Sequence, residues 1–248
     1  MKLKNTGIVL LIATTISSCS SQTLKTIVDD ATIVEKTLNS STSGVKPLSN
    51  DEVINGLKEA LTVGTNNSTA LASKVDGFYK NATLFIPFPP EAIKVKNTLD
   101  ELGLQSQTDK FVMTLNRAAE EAAKNAAPVF IDAIKGMNIT DGFAILRGGD
   151  SAATHYLKSK TTNELTQKFT PIVQDAINKV ELTKYWSPLI TEYDKIPFVQ
   201  KQNPDLTSYV TNRALLGLFK LVAAEELKIR KDPVARVSDI LKRVFGSM

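Results

Sequence analysis

Two short elements bring together residue types that recognise anions. Asp109 is followed seven residues later by Asn116-Arg117-Ala118, and Asp205 is followed at the same spacing by Asn212-Arg213-Ala214. On a helix this spacing is about two turns, so each aspartate lies on nearly the same face as its arginine. An arginine set beside apolar stripes needs a partner if it is buried. The six residues Asp109, Asn116, Arg117, Asp205, Asn212 and Arg213 are therefore the candidate site. One reading makes them a polar network that ties helices together. The other makes them an anionic-ligand site with arginine as the bidentate donor.

Other groupings point less clearly to chemistry. Glu120-Glu121 and Glu225-Glu226 are paired carboxylates on alanine-rich segments, and two carboxylates across a cleft can serve glycoside hydrolysis. Neighbouring glutamates on a helix diverge by about 100°, so only one of each pair can face inward. Lysine or arginine follows each pair within about a turn, so the expected reading is a solvated face. Ser151 and His155 stand one turn apart, but no third group or Gly-x-Ser-x-Gly elbow completes a nucleophilic triad. Asp150 follows Gly148-Gly149 and would repel an anion there, which makes this a helix cap. Phosphate-loop, dinucleotide and calcium-loop patterns are absent.

Composition removes further classes. One cysteine excludes a disulfide framework or a cysteine-based metal site, and one histidine excludes every site that needs two. No cofactor and no metal is implied.

The amino-terminal segment reads as an address. Lys2 and Lys4 precede the apolar run Gly7–Ala13, too short to span a bilayer, and the segment ends Ile16-Ser17-Ser18-Cys19. An aliphatic residue, two small residues and a cysteine resemble a bacterial lipoprotein signal, with Cys19 as the lipidation site and first mature residue. Ser20 in place of aspartate favours the outer membrane, facing the periplasm. Loss of residues 1–18 leaves 28 basic against 26 acidic side chains, a net charge of +2 in place of +4. Such a balanced chain is a poor nucleic-acid binder, and no nucleic-acid partner is expected.

Residues 1–18 are thus expected to be a signal peptide, 19–47 a lipid-anchored tether and 48–248 a helical domain. A hydrophobic fraction of 42% suffices for a core in that domain. Ser49-Asn-Asp-Glu52 and Thr161-Thr-Asn-Glu164 read as capping boxes. Thr170-Pro171, Ser187-Pro188, Asn203-Pro204 and Asp232-Pro233 read as helix starts with proline at the first helical position. Apolar residues recur every three or four positions, as in Phe111, Leu115, Ala118, Ala122, Ala126, Val129 and Ala133, with Pro128 expected to kink or break that run. Phe85-Ile-Pro-Phe-Pro-Pro90 reads as an ordered connector with buried phenylalanines. The expected fold class is all-α, a multi-helix bundle of about eight to ten helices.

Phe85-Ile-Pro-Phe-Pro-Pro-Glu-Ala-Ile, Leu115-Asn-Arg-Ala-Ala-Glu-Glu-Ala-Ala, Asp141-Gly-Phe with Gly148-Gly149-Asp150, and Leu182-Thr-Lys-Tyr-Trp occur in order. In these motifs the chain resembles an uncharacterised bacterial family of exported proteins, domain of unknown function 4197, over roughly residues 48–246. The resemblance implies export and an α-helical fold, and implies no activity. There is also an internal echo. Each Asp…Asn-Arg-Ala element has an Ile-Pro-Phe upstream (Ile86–Phe88, Ile196–Phe198) and an Asp-x-x-Lys downstream (Asp132–Lys135, Asp239–Lys242). Two related helical halves explain it, and so does chance recurrence among similar helices.

The functional expectation is a lipid-anchored, periplasm-facing helical protein that acts as a non-enzymatic binding or scaffolding module. Its partners would be the membrane, through lipidated Cys19, and an unidentified protein, lipid or cell-wall component. The alternative is a hydrolase or anionic-ligand-binding protein with Arg, Asp and Glu around an inter-helix cleft. Convergence of Glu120 or Glu121, Arg117 and Arg213 on one pocket would favour that alternative.

Overall fold

Ser49 opens the first helix through the expected capping box. Its Oγ accepts from the Glu52 N–H at 3.2 Å, and the Glu52 carboxylate accepts from the Ser49 N–H at 2.9 Å. The computed structural model describes residues 46–248, of which Leu48–Met248 form one unit. The signal segment, Cys19 and almost all of the proposed tether lie outside the described residues.

Nine α-helices and no strands make up the described part. They are α1 (Asn50–Ala72), α2 (Ile93–Glu101), α3 (Gln105–Ala123), α4 (Ala126–Gly136), α5 (Gly142–Leu146), α6 (Ala152–Lys179), α7 (Leu182–Tyr193), α8 (Leu206–Lys231) and α9 (Asp239–Phe245). Single 3-10 turns at Pro90–Ala92 and Pro233–Ala235 precede α2 and α9. The fold is the all-α bundle that the apolar periodicity predicts. No helix among the described residues is long and apolar enough to cross a membrane.

Three long helices form the frame, with α8 packed on both α1 and α6. Helix α1 presents Val53, Leu57, Ala60 and Leu61 on one face, all buried. Its Gly56 permits the close approach of α9, since a Cβ there would lie 2.7 Å from the Val244 Cγ2. Gly217 on α8 receives Leu84 and Phe78 from the segment after α1 in the same way. Helix α3 packs on α6 and α7, and the Phe88, Phe111 and Trp186 rings meet there at 5.0–5.9 Å. Phe88 is the buried phenylalanine expected of the proline-rich connector, whereas Phe85 is more than one-third exposed.

Several helix boundaries differ from the expected ones, each for a local reason. Thr161–Glu164 and Thr170-Pro171 start no helix, because α6 runs unbroken through both. The hydroxyls of Thr161, Thr162, Thr166 and Thr170 each donate to the carbonyl four residues back, so they serve the helix they belong to. Pro171 removes one bond, to the carbonyl of solvent-exposed Gln167. Pro188 likewise lies inside α7, which starts earlier, at Leu182, after Glu181 turns the chain with φ 53°. The break expected at Pro128 falls at Lys124-Asn125, and Pro128 sits in the first turn of α4, where its missing N–H costs nothing. Helix α8 begins two residues beyond Asn203-Pro204, capped by Asp205, which accepts from the Ser208 N–H at 2.9 Å. Asp232-Pro233 heads only a 3-10 turn.

Candidate functional site

The first Asp…Asn-Arg element lies on α3 and is spent on structure. Asn116 is fully buried, and its side chain acts as a short piece of backbone. The Oδ1 accepts from the Ile86 N–H at 2.8 Å, while the Nδ2 donates to the Ile86 carbonyl at 2.8 Å and to the Val112 carbonyl at 2.9 Å. This clamps the connector, which has no secondary structure to satisfy its own polar groups. Arg117 turns to Asp76 and Glu120, at 2.6 Å each, and lies over the Tyr79 ring. Hydrogen bonds from Lys80 and Arg117 hold the Asp76 carboxyl below its ordinary range. Asp76 has φ +67°, a left-handed conformation uncommon for a residue with a side chain, and these ionic bonds hold it there. Asp109, the expected partner of Arg117, is exposed and takes no part.

The paired glutamates correct a second expectation. Each pair divides into one partly exposed, lysine-paired member and one buried member, as helix geometry requires. Glu121 pairs with Lys124 and Lys179, and Glu225 pairs with Lys228. Glu120, 4% exposed, accepts from the Phe78 and Tyr79 N–H groups at 3.0 and 3.1 Å. Glu226, 1% exposed, accepts from the Ala153 and Thr154 N–H groups and from the Thr154 hydroxyl at 2.7–3.0 Å. Ser151 is the N-cap residue of α6, but its side chain makes no capping bond; Glu226 of α8 supplies that cap. Arg230, one turn on, bonds Glu226 and donates to the Ile145 and Leu146 carbonyls at the end of α5. One buried ion pair thus places an anion at a helix start and a cation at a helix end, each opposite the favourable pole of the dipole. The lysines and arginine after each pair predicted solvation, and the i,i+4 spacing of Glu226 and Arg230 was the signal that could have indicated burial instead.

The second element behaves otherwise. Asp205, Tyr209 and Arg213 fall at four-residue intervals along the first two turns of α8, with Ser208 and Asn212 beside them. All five line an open cavity of about 420 Å³, whose lining is completed by Glu91 and residues 202–204. The Tyr209 hydroxyl donates to the Pro87 carbonyl at 3.1 Å, fixing α8 to the proline-rich connector that carries Glu91. Burial pushes the Tyr209 phenol up; the Arg213 charge acts against this and the Glu91 charge adds to it, so both fields reach the cavity. The Asp205 carboxyl is held below its ordinary range by the Ser208 N–H and hydroxyl. Arg213 is half-buried, yet it makes no hydrogen bond or ion pair among the described residues, and neither does Glu91.

The six candidate residues therefore separate into three places. Asn116 and Arg117 serve the structure, Asp109 stands apart, and Asp205, Asn212 and Arg213 share one cavity with Glu91 and Tyr209. Arg117 is engaged with Glu120 and Asp76 and does not line the Arg213 cavity, so the convergence on one carboxylate–arginine cleft is not observed. His155 is exposed and lies among Lys158 and Lys160. Among the described residues no group of three or more His, Cys, Asp or Glu side chains could hold a metal ion.

Fold and site together define a helical bundle with one arginine element closed by structure and one open to solvent. The family model described as protein of unknown function (DUF4197) matches residues 47–246, and the chain belongs to that family. No curated protein and no solved structure matches it.

Proposed function

We propose that the protein is a lipid-anchored binding module of the cell envelope, facing the periplasm, that takes a carboxylate-bearing ligand in the cavity at the start of α8. The observation that carries the binding reading is Arg213. A guanidinium has five donors in a planar fork, and burial without a partner is costly. Arg117, its counterpart in the sequence, has every advantage of position and two carboxylates to occupy it. Arg213 stands half-buried beside Tyr209 and Asn212 with none, in a cavity of about 420 Å³, within the range that small ligands occupy. A carboxylate offers the bidentate geometry that such an arginine lacks. The anchoring part rests on the Ile16-Ser17-Ser18-Cys19 signal alone.

Two measurements test the two parts. Growth with a radioactive fatty acid is expected to label the wild-type chain and not Cys19→Ser. A Cys19→Ser chain that stays labelled and membrane-bound would remove the anchor. Titration of the full chain with N-acetyl-alanine, a carboxylate without an amine, is expected to shift the amide signals of residues 205–213. The same shifts in Arg213→Met would remove the carboxylate site.

A further inference from the structure

The α8 cavity contains more than a free cation. Glu91, carried on the 3-10 turn at Pro90–Ala92, lines the same cavity and is also without a hydrogen bond or ion pair among the described residues. Arg213 and Glu91 do not pair with each other, so two opposite charges line one open cavity with no ion pair between them. Their positions are fixed independently. Arg213 is set by the register of α8, which Asp205 caps, and Glu91 by the connector that Asn116 clamps and Tyr209 ties to α8.

This arrangement discriminates between ligand charge types. A simple anion would be drawn to Arg213 but would meet the field of Glu91 and Asp205. A simple cation would meet the field of Arg213. Asp205 is the weaker acceptor of the two carboxylates, because its oxygens already receive the Ser208 N–H and hydroxyl at 2.9 and 2.7 Å. A small molecule with a carboxylate at one end and an ammonium at the other satisfies both unpaired groups together. We infer that the cavity recognises a zwitterionic amino-acid or short-peptide group, its carboxylate on Arg213 and its ammonium on Glu91. Asn212 and Tyr209 supply neutral polar and ring surface to the same cavity. The inference rests on the carboxylate reading of Arg213 given above and adds the second charge.

The test compares alanyl-alanine with N-acetyl-alanyl-alanine, which has the same carboxylate and no charged amine, on the full chain by calorimetry and amide chemical shifts. The free-amine dipeptide is expected to bind about three- to fivefold more tightly, the range for a partly solvated ion pair. In Glu91→Gln that advantage is expected to vanish, with the acetylated dipeptide binding at least as tightly as to wild type because the Glu91 charge no longer repels it. Glu91 is exposed and makes no bond, so this variant is expected to fold normally, with unchanged circular dichroism. Equal binding of the two dipeptides to wild type would overturn the zwitterion inference and leave the carboxylate reading standing. Binding of neither, or binding that survives Arg213→Met, would overturn both.

Discussion

The two Asn-Arg elements have nearly the same sequence and opposite fates. On α3, Asn116 is sealed beneath the connector and Arg117 is shared between two carboxylates. On α8, Asn212 is exposed and Arg213 faces solvent across a cavity without a partner. The upstream Ile-Pro-Phe segments diverge in the same sense. Ile86 and Phe88 are buried, whereas Phe198 is fully exposed and has φ +65°. The difference lies in what faces each arginine. Asp76 and Glu120 meet Arg117 from the segment after α1 and from α3 itself, while the cavity of Arg213 holds two carboxylates, Glu91 and Asp205, and neither forms an ion pair with it. An arginine is structural or available according to its neighbours in space, and its neighbours in sequence do not decide the matter.

The largest expected effect lies at a third ion pair, Glu226–Arg230, the reference for a fully structural arginine. Both side chains are at most 5% exposed. Removing one member leaves a buried charge and several unpaired donors or carbonyls, so Glu226→Gln and Arg230→Met should each cost about 3–5 kcal/mol in denaturant unfolding. A cost below about 1 kcal/mol in either would mean that water reaches the pair.

Arg117→Met comes next. Its side chain is 28% exposed, so screening lowers the cost to about 1–3 kcal/mol, with Glu120 left as the unpaired buried carboxylate. An unchanged midpoint would place Arg117 in the same class as Arg213 and dissolve the contrast.

Asp205 supplies a smaller effect with a pH signature. As the cap of α8 it should be worth about 1 kcal/mol near neutrality, read from Asp205→Ala. Its folded-state pKa lies below the ordinary value of 3.8, so the cap stabilises above that value and is lost as pH falls through the lower folded one. The stability gap between wild type and Asp205→Ala should therefore close in acid below about pH 4. A gap that persists there would assign the effect to packing.

The smallest effect is expected from Arg213→Met, within about 0.5 kcal/mol of wild type in either direction, because no bond is lost. A loss comparable with that of Arg117→Met would make Arg213 structural and remove the basis of the proposed site.

Much of the fold could be read from the sequence. The Ser49–Glu52 capping box, the 3.6-residue apolar stripes and the non-helical connector are local signals, and local physics decides them. The boundaries at Thr170-Pro171 and Ser187-Pro188 misled because a Thr or Ser before proline caps a helix or continues one equally well, and tertiary packing of Phe169, Val173, Trp186 and Leu189 selects continuation. At the site, the spacing identified Asn116, Arg117 and Arg213, while Asp76, Glu91 and Tyr209 arrive from other elements or carry no motif. Which carboxylate meets which arginine depends on contacts across the bundle, which spacing along one helix does not encode.

The central claim is that Arg213 is available and Arg117 and Arg230 are not. Side-chain nitrogen NMR of the arginines in the full chain measures this directly, since hydrogen-bonded guanidinium groups rotate slowly and exchange their protons slowly. Resolved, slowly exchanging Nη signals are expected for Arg117 and Arg230. For Arg213 a single averaged signal is expected in the ligand-free chain, shifting toward resolved, slowly exchanging signals when alanyl-alanine is added. Resolved, protected Arg213 signals in the ligand-free chain would contradict that claim.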